Sequence, residues 1–126
     1  MNYATTAVGS GGGDTATATA IGWGYRNTRA IVAQGNTDTA TSGAALADSY
    51  TATVSGVTYD DWYLPSKDEL NELFLQRSNV GGFAADYYWS SSEPVAVNAW
   101  VQDFFDGTQI NYRKFYSIYV RPVRAF

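Results

Sequence analysis

Three groups of side chains in this sequence could carry chemistry, and their neighbours decide what each can do. Ser90-Ser91-Ser92 offers hydroxyl nucleophiles, but the chain contains no histidine. A serine needs an adjacent base to attack an acyl carbon. The run is better suited to small side chains that bond to backbone in a tight turn. Asp60, Asp61, Asp68 and Glu69 form an acidic group. Ser66-Lys67-Asp68-Glu69 is a capping box, which accounts for Glu69 without a metal. The other carboxylates read as solvated charge. Asp103 and Asp106 could in principle cleave a sugar as paired acids, but nothing else in the chain supports that reaction. Lack of histidine also removes the commonest general base and transition-metal ligand. The chain is therefore expected to be non-catalytic, with no metal and no cofactor.

What remains is a surface for holding a ligand. Phe105, Ile110, Tyr112, Phe115, Tyr116 and Ile118 set large apolar groups among Asp103, Asp106, Asn111, Arg113 and Ser117. A run of consecutive large residues cannot all face inward on a strand. Exposed Tyr, Phe and Arg are the types that dominate binding hot spots. Residues 94–118 share a second property. With Ala99, Trp100, Gln102, Phe104, Gly107, Gln109 and Lys114 set aside as fixed, every other residue belongs to one codon set. That set is reached from AAC or AAT by changing only the two adenines, and it lacks Lys, Glu, Gln, Met and Trp. Adenine-directed change is the signature of a diversity-generating retroelement. The ligand-contacting positions expected on this basis are Val95, Val97, Val101, Asp103, Phe105, Asp106, Thr108, Ile110, Asn111, Tyr112, Arg113, Phe115, Tyr116, Ser117 and Ile118.

Two blocks then stand out in order: Asp61-Trp62-Tyr63-Leu64-Pro65-Ser66-Lys67-Asp68-Glu69-Leu70 and Tyr88-Trp89-Ser90-Ser91-Ser92-Glu93. They are followed by Ala99-Trp100, Phe104, Gly107, Lys114 and Tyr119-Val120-Arg121-Pro122-Val123-Arg124-Ala125-Phe126. This frame resembles the variable proteins of diversity-generating retroelements. It also resembles a wider bacterial family of C-type-lectin-like domains, the DUF1566-like or collagen-like-protein C-terminal type. The resemblance spans roughly residue 20 to the end, including Ile21-Gly22-Trp23-Gly24-Tyr25-Arg26-Asn27-Thr28. It implies a structural frame of Trp62, Ser66, Glu69, Trp89, Trp100, Phe104, Gly107, Arg121 and Arg124 around a variable region of about 94–118. It further implies a phage tail-fibre tip or cell-surface location and a protein or glycan ligand on a target cell. The alternative is an adhesive or structural surface module that binds glycan or matrix through a fixed site. Glu93-Pro94-Val95 is faintly similar to the calcium–sugar motif of animal C-type lectins, but Val95 has no oxygen to offer calcium. Formylglycine-making members of the superfold resemble cysteine-dependent enzymes, and this chain has no cysteine.

The elements that must position these residues follow from patterning. Asn27 to Gly35 is expected to be a short helix, capped by Asn27 or Thr28 and closed by Gly35. Ala44 to Asp48 continues helically after a polar loop over 36–42. The capping box predicts a further helix with Leu70, Leu73 and Phe74 on its apolar face. Residues 99–105 alternate, which predicts a strand with Trp100, Gln102 and Phe104 inward and Val101, Asp103 and Phe105 outward. Asp106-Gly107 signals a two-residue hairpin. A last strand is expected over Tyr119–Arg124, with Pro122 at an edge or bulge. Residues 1–19 are rich in Gly, Ser, Thr and Ala and read as a linker-like segment.

A length of 126 residues suits one domain. Ten Tyr, six Phe and four Trp are enough for an aromatic core, an aromatic binding face, or both. Eight basic against twelve acidic residues give a net charge of −4, which argues against nucleic acid as a partner. No stretch is apolar for long enough to insert directly into a membrane. The fold class expected is α+β: a C-type-lectin-like domain over 20–126, with two helices on a small irregular antiparallel sheet and long loops. The chain is expected to be a piece of a longer virion or cell-surface protein.

Overall fold

The computed structural model describes residues 18–33, 42–95, 98–114 and 116–125. Among them lie four helices and two antiparallel sheets, an α+β fold. α1 spans Gly24–Ala33 and α2 spans Gly43–Ser49. The strands β1 (Ala52–Val54) and β2 (Val57–Tyr59) form a small hairpin. α3 spans Lys67–Leu75, and the short α4 spans Arg77–Val80. A three-stranded sheet follows, from β3 (Tyr87–Trp89), β4 (Asn98–Asp103) and β5 (Gln109–Arg113), with β4 in the centre.

The centre of the molecule is three layers deep. Ile31 of α1 and Ala44 and Ala47 of α2 pack with Leu64, Trp89, Ala99, Val101 and Ile118 in one buried cluster. On the other side Leu70 of α3 meets Tyr88 and Phe104, with Leu73, Phe74 and Phe83 around them. The sheet therefore has cover on both faces, and every residue of β4 is buried or half-buried. A strand in that position reads as buried at successive residues rather than at alternate ones. Ala99, Val101 and Gln102 are all fully buried.

That geometry corrects the alternation expected for β4. Trp100 is half-buried rather than core, and Val101, expected to face outward, is fully buried. Alternation along β4 distinguishes one covering layer from the other; it does not distinguish core from solvent. Phe104 and Trp89 are buried as expected. The hairpin after β4 is also wider than two residues. Thr108 O accepts from Asp103 N–H at 2.8 Å, and Asp103 O accepts from Gly107 N–H at 2.7 Å, so Phe104 to Thr108 form the connection. Gly107 has φ 87°, and a Cβ there would run into the Phe74 ring.

α1 begins earlier than expected, at Gly24, which leaves Asn27 and Thr28 inside the helix and buried. Their side chains act as ties: Asn27 Nδ2 donates to Ala18 O at 2.7 Å, and Thr28 Oγ1 accepts from Leu64 N–H at 2.9 Å. Gly35 and the loop from 36 to 41 lie outside the described residues. The helix at α2 matches its expectation and is capped by Ser42. Ser66 caps α3 with the expected reciprocal bonds to Glu69. The C-terminal segment forms isolated bridges rather than a strand, Tyr119 with Tyr88 and Val123 with Tyr63. Pro122 lies between them and has no N–H to extend a ladder.

Candidate binding surface

The β4–β5 hairpin and the turn after β5 leave large and polar side chains in solvent. Phe105 is 75% exposed at the hairpin tip, Tyr116 is 51% exposed after β5, and Val95 is 54% exposed before β4. Asp106, Thr108, Asn111, Arg113 and Ser117 are also exposed, and Asp103, Ile110 and Tyr112 are half-buried. The tip is braced by its own carboxylates. Asp103 Oδ1 accepts from Phe105 N–H, and Asp106 Oδ1 accepts from Thr108 N–H, both at 2.9 Å. The backbone and hydroxyl of Thr108 hold the Asp106 carboxyl below its usual pKa.

Under this surface lies a buried polar floor. Gln102 Nε2 donates to Asn71 Oδ1 at 2.9 Å and to Gly107 O at 3.1 Å. Gln109 Nε2 donates to Lys67 O at 2.8 Å and to Gln102 Oε1 at 3.3 Å. These bonds pin both hairpin strands to the N-terminal half of α3. Lys67 also lays its ammonium over the Trp100 ring at 4.6 Å. Ser90, Ser91 and Ser92 are fully buried. Ser90 Oγ donates to Trp100 O, Ser92 Oγ donates to Ala18 O, and Ser92 Oγ accepts from Lys67 N–H. The serine run is a spacer in which the hydroxyls of Ser90 and Ser92 join β4, α3 and the chain at Ala18. Lys114 forms a buried ion pair with Glu93. Burial pushes the Lys114 ammonium down to about 8, while the touching carboxylate favours its charged form.

The structure divides the expected ligand-contacting residues. Val101 and Ile118 both lie in the core cluster, Val101 without exposed surface and Ile118 with only 8%. Their burial follows from the central place of β4 and from the packing of the returning chain against α1 and α2. Val97 and Phe115 lie outside the described residues. Along β5, Ile110 and Tyr112 pair with Val101 and Ala99 on the α1–α2 side. Asn111 and Arg113 lie on the opposite side of the strand. The single solvent-facing surface expected for all of them is thus replaced by two flanks meeting at the hairpin tip. Sequence reasoning missed Tyr87, which stands opposite Asp103 across the β3–β4 pair. Its ring centroid is 5.4 Å from that of Tyr112, which is in turn 5.5 Å from Tyr116. The signal lay in Tyr87-Tyr88-Trp89, a run of bulky aromatic residues of the type enriched in strands.

The frame residues serve the scaffold. Trp62 Nε1 donates to Tyr59 O at 2.9 Å, and its ring meets Tyr50 edge-on. Arg121 lies over Phe83 and donates to Gly81 O at 3.2 Å. Arg124 forms two hydrogen bonds to Asp61, at 2.7 and 3.0 Å. A groove of about 610 Å³ runs between α3 and the C-terminal segment, lined among others by Ile21, Trp62, Leu73, Pro122 and Val123. Among the described residues no three His, Cys, Asp or Glu converge to hold a metal ion, and no helix is long and apolar enough to cross a membrane.

The structure is a small α+β scaffold whose β4–β5 hairpin stands on buried polar side chains and carries exposed aromatic residues. The chain belongs to the Lcl C-terminal domain family, which matches residues 14–124. A comparison with curated proteins gives no match.

Proposed function

We propose that this is a non-catalytic ligand-binding domain with a C-type-lectin-like fold, displayed on a virion or cell surface as part of a longer protein. Its β4–β5 hairpin and following turn recognise a protein or glycan on a target cell, and retroelement-driven change in 94–118 alters which target is bound. The exposure of Phe105 carries this reading. A phenyl ring three-quarters in water, on a backbone held by Asp103, Asp106 and the Gly107–Phe74 contact, contributes nothing visible to the core. Rigid presentation of an aromatic anchor lowers the entropy cost of association. The codon pattern supports the same reading at Phe105, Asp106, Thr108, Asn111, Arg113 and Tyr116, whose side chains can change without disturbing the layers.

The test is a displayed library randomised at those six positions and selected against intact target cells. Most members should melt within a few degrees of the parent, and selected members should bind different targets. A library that mostly fails to fold would overturn the proposal, as would binders that keep full affinity after reversion of all six.

The apolar groove beside α3 favours a second reading, a fixed-specificity adhesive module. Its walls come from Trp62, Arg121, Arg124 and their neighbours, outside the adenine-coded segment. Under that reading Leu73→Asp abolishes binding and the hairpin variants leave it intact.

A further inference from the structure

We propose that Tyr87, Tyr112 and Tyr116, with the carboxylates of Asp103 and Asp106 at their upper end, form a site for cationic side chains. Its occupant is a basic polypeptide segment that lays arginine or lysine across the tyrosine rings. The inference rests on the binding reading above and names the chemistry of that face.

The three rings form a row that crosses from β3 over β5 to the turn after it, with centroid steps of 5.4 and 5.5 Å. Tyr87 and Tyr112 keep one side against the core cluster, which fixes their orientation, and Tyr116 stands half in solvent. Ring faces attract cations through their quadrupole, most strongly where water is partly excluded. The same chain uses that attraction elsewhere, with Arg121 at 4.4 Å from the Phe83 centroid and Lys67 at 4.6 Å from that of Trp100.

Two carboxylates stand beside the row. Asp103 pairs directly with Tyr87 across the strands, and Asp106 is exposed at the adjoining tip. The Tyr87 phenol is raised above its usual pKa, first by its hydrogen bond to the Tyr112 phenol and its charge, and further by Asp103 and Asp106. The basic residues of this hairpin face elsewhere: Arg113 lies on the other side of β5 from Tyr112, and Lys114 is buried against Glu93. A negative rim beside aromatic faces complements a guanidinium or ammonium and repels an acidic glycan. Tyr87 lies outside the adenine-coded segment, so it supplies a constant element to a site whose other members vary.

The experiment selects random twelve-residue displayed peptides against the intact chain and measures the recovered peptides at two ionic strengths. Recovered peptides should be enriched in Arg and Lys, and their affinity should fall as salt rises. Tyr87→Leu and Asp103→Asn should each weaken them by about threefold to tenfold, the scale of one cation–aromatic or ionic contact. Asn at 103 keeps an oxygen for the Phe105 N–H, so this variant removes charge without opening the tip. Tyr87→Phe, which retains the ring face, should restore most of the loss seen with leucine. Neutral or acidic peptides that depend on Phe105 and Tyr116 would overturn the cationic assignment and leave the binding face standing. Peptides indifferent to Tyr87, Asp103, Phe105 and Tyr116 together would overturn both.

Discussion

Val101 and Phe105 lie four positions apart in one segment, and their environments are opposite. Val101 has no exposed surface, whereas Phe105 is 75% exposed. Val101→Ala should therefore cost about 2–3 kcal/mol, the loss of two buried methyl groups plus a residual cavity. Phe105→Ser should change stability by about 0.5 kcal/mol or less. Urea melts of the two variants check both values. The codon set put both residues in the same class because both are reachable by adenine change, and a codon says nothing about burial. Tyr63 supplies a second residue-scale outcome. Burial first, and then the nearby Glu69 carboxylate, raise its phenol from 10.0 to about 12. A raised folded-state pKa means stability is fully present below the unfolded value and is lost as pH climbs through the folded one. Unfolding free energy should thus decline between about pH 10 and pH 12. In Tyr63→Phe that part of the decline should be absent from melts across the same window.

At the scale of elements, what could be read in advance was what is encoded locally. Ser66-Lys67-Asp68-Glu69 carries the whole of its capping box within four residues, and α3 starts there. Ser66→Ala should cost about 1–2 kcal/mol, because Glu69 N–H loses its acceptor in a buried setting. Circular dichroism melts measure it, and an unchanged melt would mean that α3 does not depend on the cap. The start of α1 could not be read this way. Its Gly24 N–H donates to Glu69 Oε1 at 2.9 Å, from 45 residues away, and no local pattern announces such a partner. The β1–β2 hairpin did have a local signal. Ser55-Gly56 sits at its turn with φ of 52° and 80°, a pairing of turn residues that favours tight hairpins. The width of the β4–β5 connection, in contrast, is set by the Phe74 ring against Gly107 and so by packing.

The whole molecule decides the fate of the pair that crosses between the serine run and the end of β5. Glu93 and Lys114 are both buried, at 1% exposure each, and they meet at the end of the β4–β5 pair away from the hairpin turn. Removing one charge strands the other in a poor solvent. Lys114→Met alone should cost about 3–5 kcal/mol, whereas Glu93→Leu with Lys114→Met should recover most of that loss. A double-mutant cycle by urea denaturation measures the difference, and a loss in the double variant equal to the sum of the two single losses would show that the two charges act independently. The three-layer arrangement that buries this pair was not legible in the sequence. Apolar alternation along a single strand is the same whether its second face meets water or a helix. Only the assembled positions of α1, α2 and α3 cover β4 on both faces.

One carboxylate ties two distant parts of the chain together. Glu69 accepts from Ser66 N–H at the start of α3, and from Gly24 N–H and Gly22 N–H at the start of α1. A Cβ at position 24 would collide with it, so the approach requires glycine. Helices that share a terminus cannot fray independently: releasing either one leaves the carboxylate half-satisfied in the other. The first turns of α1 and α3 should consequently open as one unit, with the amide protons of Gly24 and Ser66 exchanging with deuterium at matched free energies. In Glu69→Gln, which keeps one acceptor oxygen and loses the charge, both protections should fall together; a drop at only one of them would show that the two helices open separately.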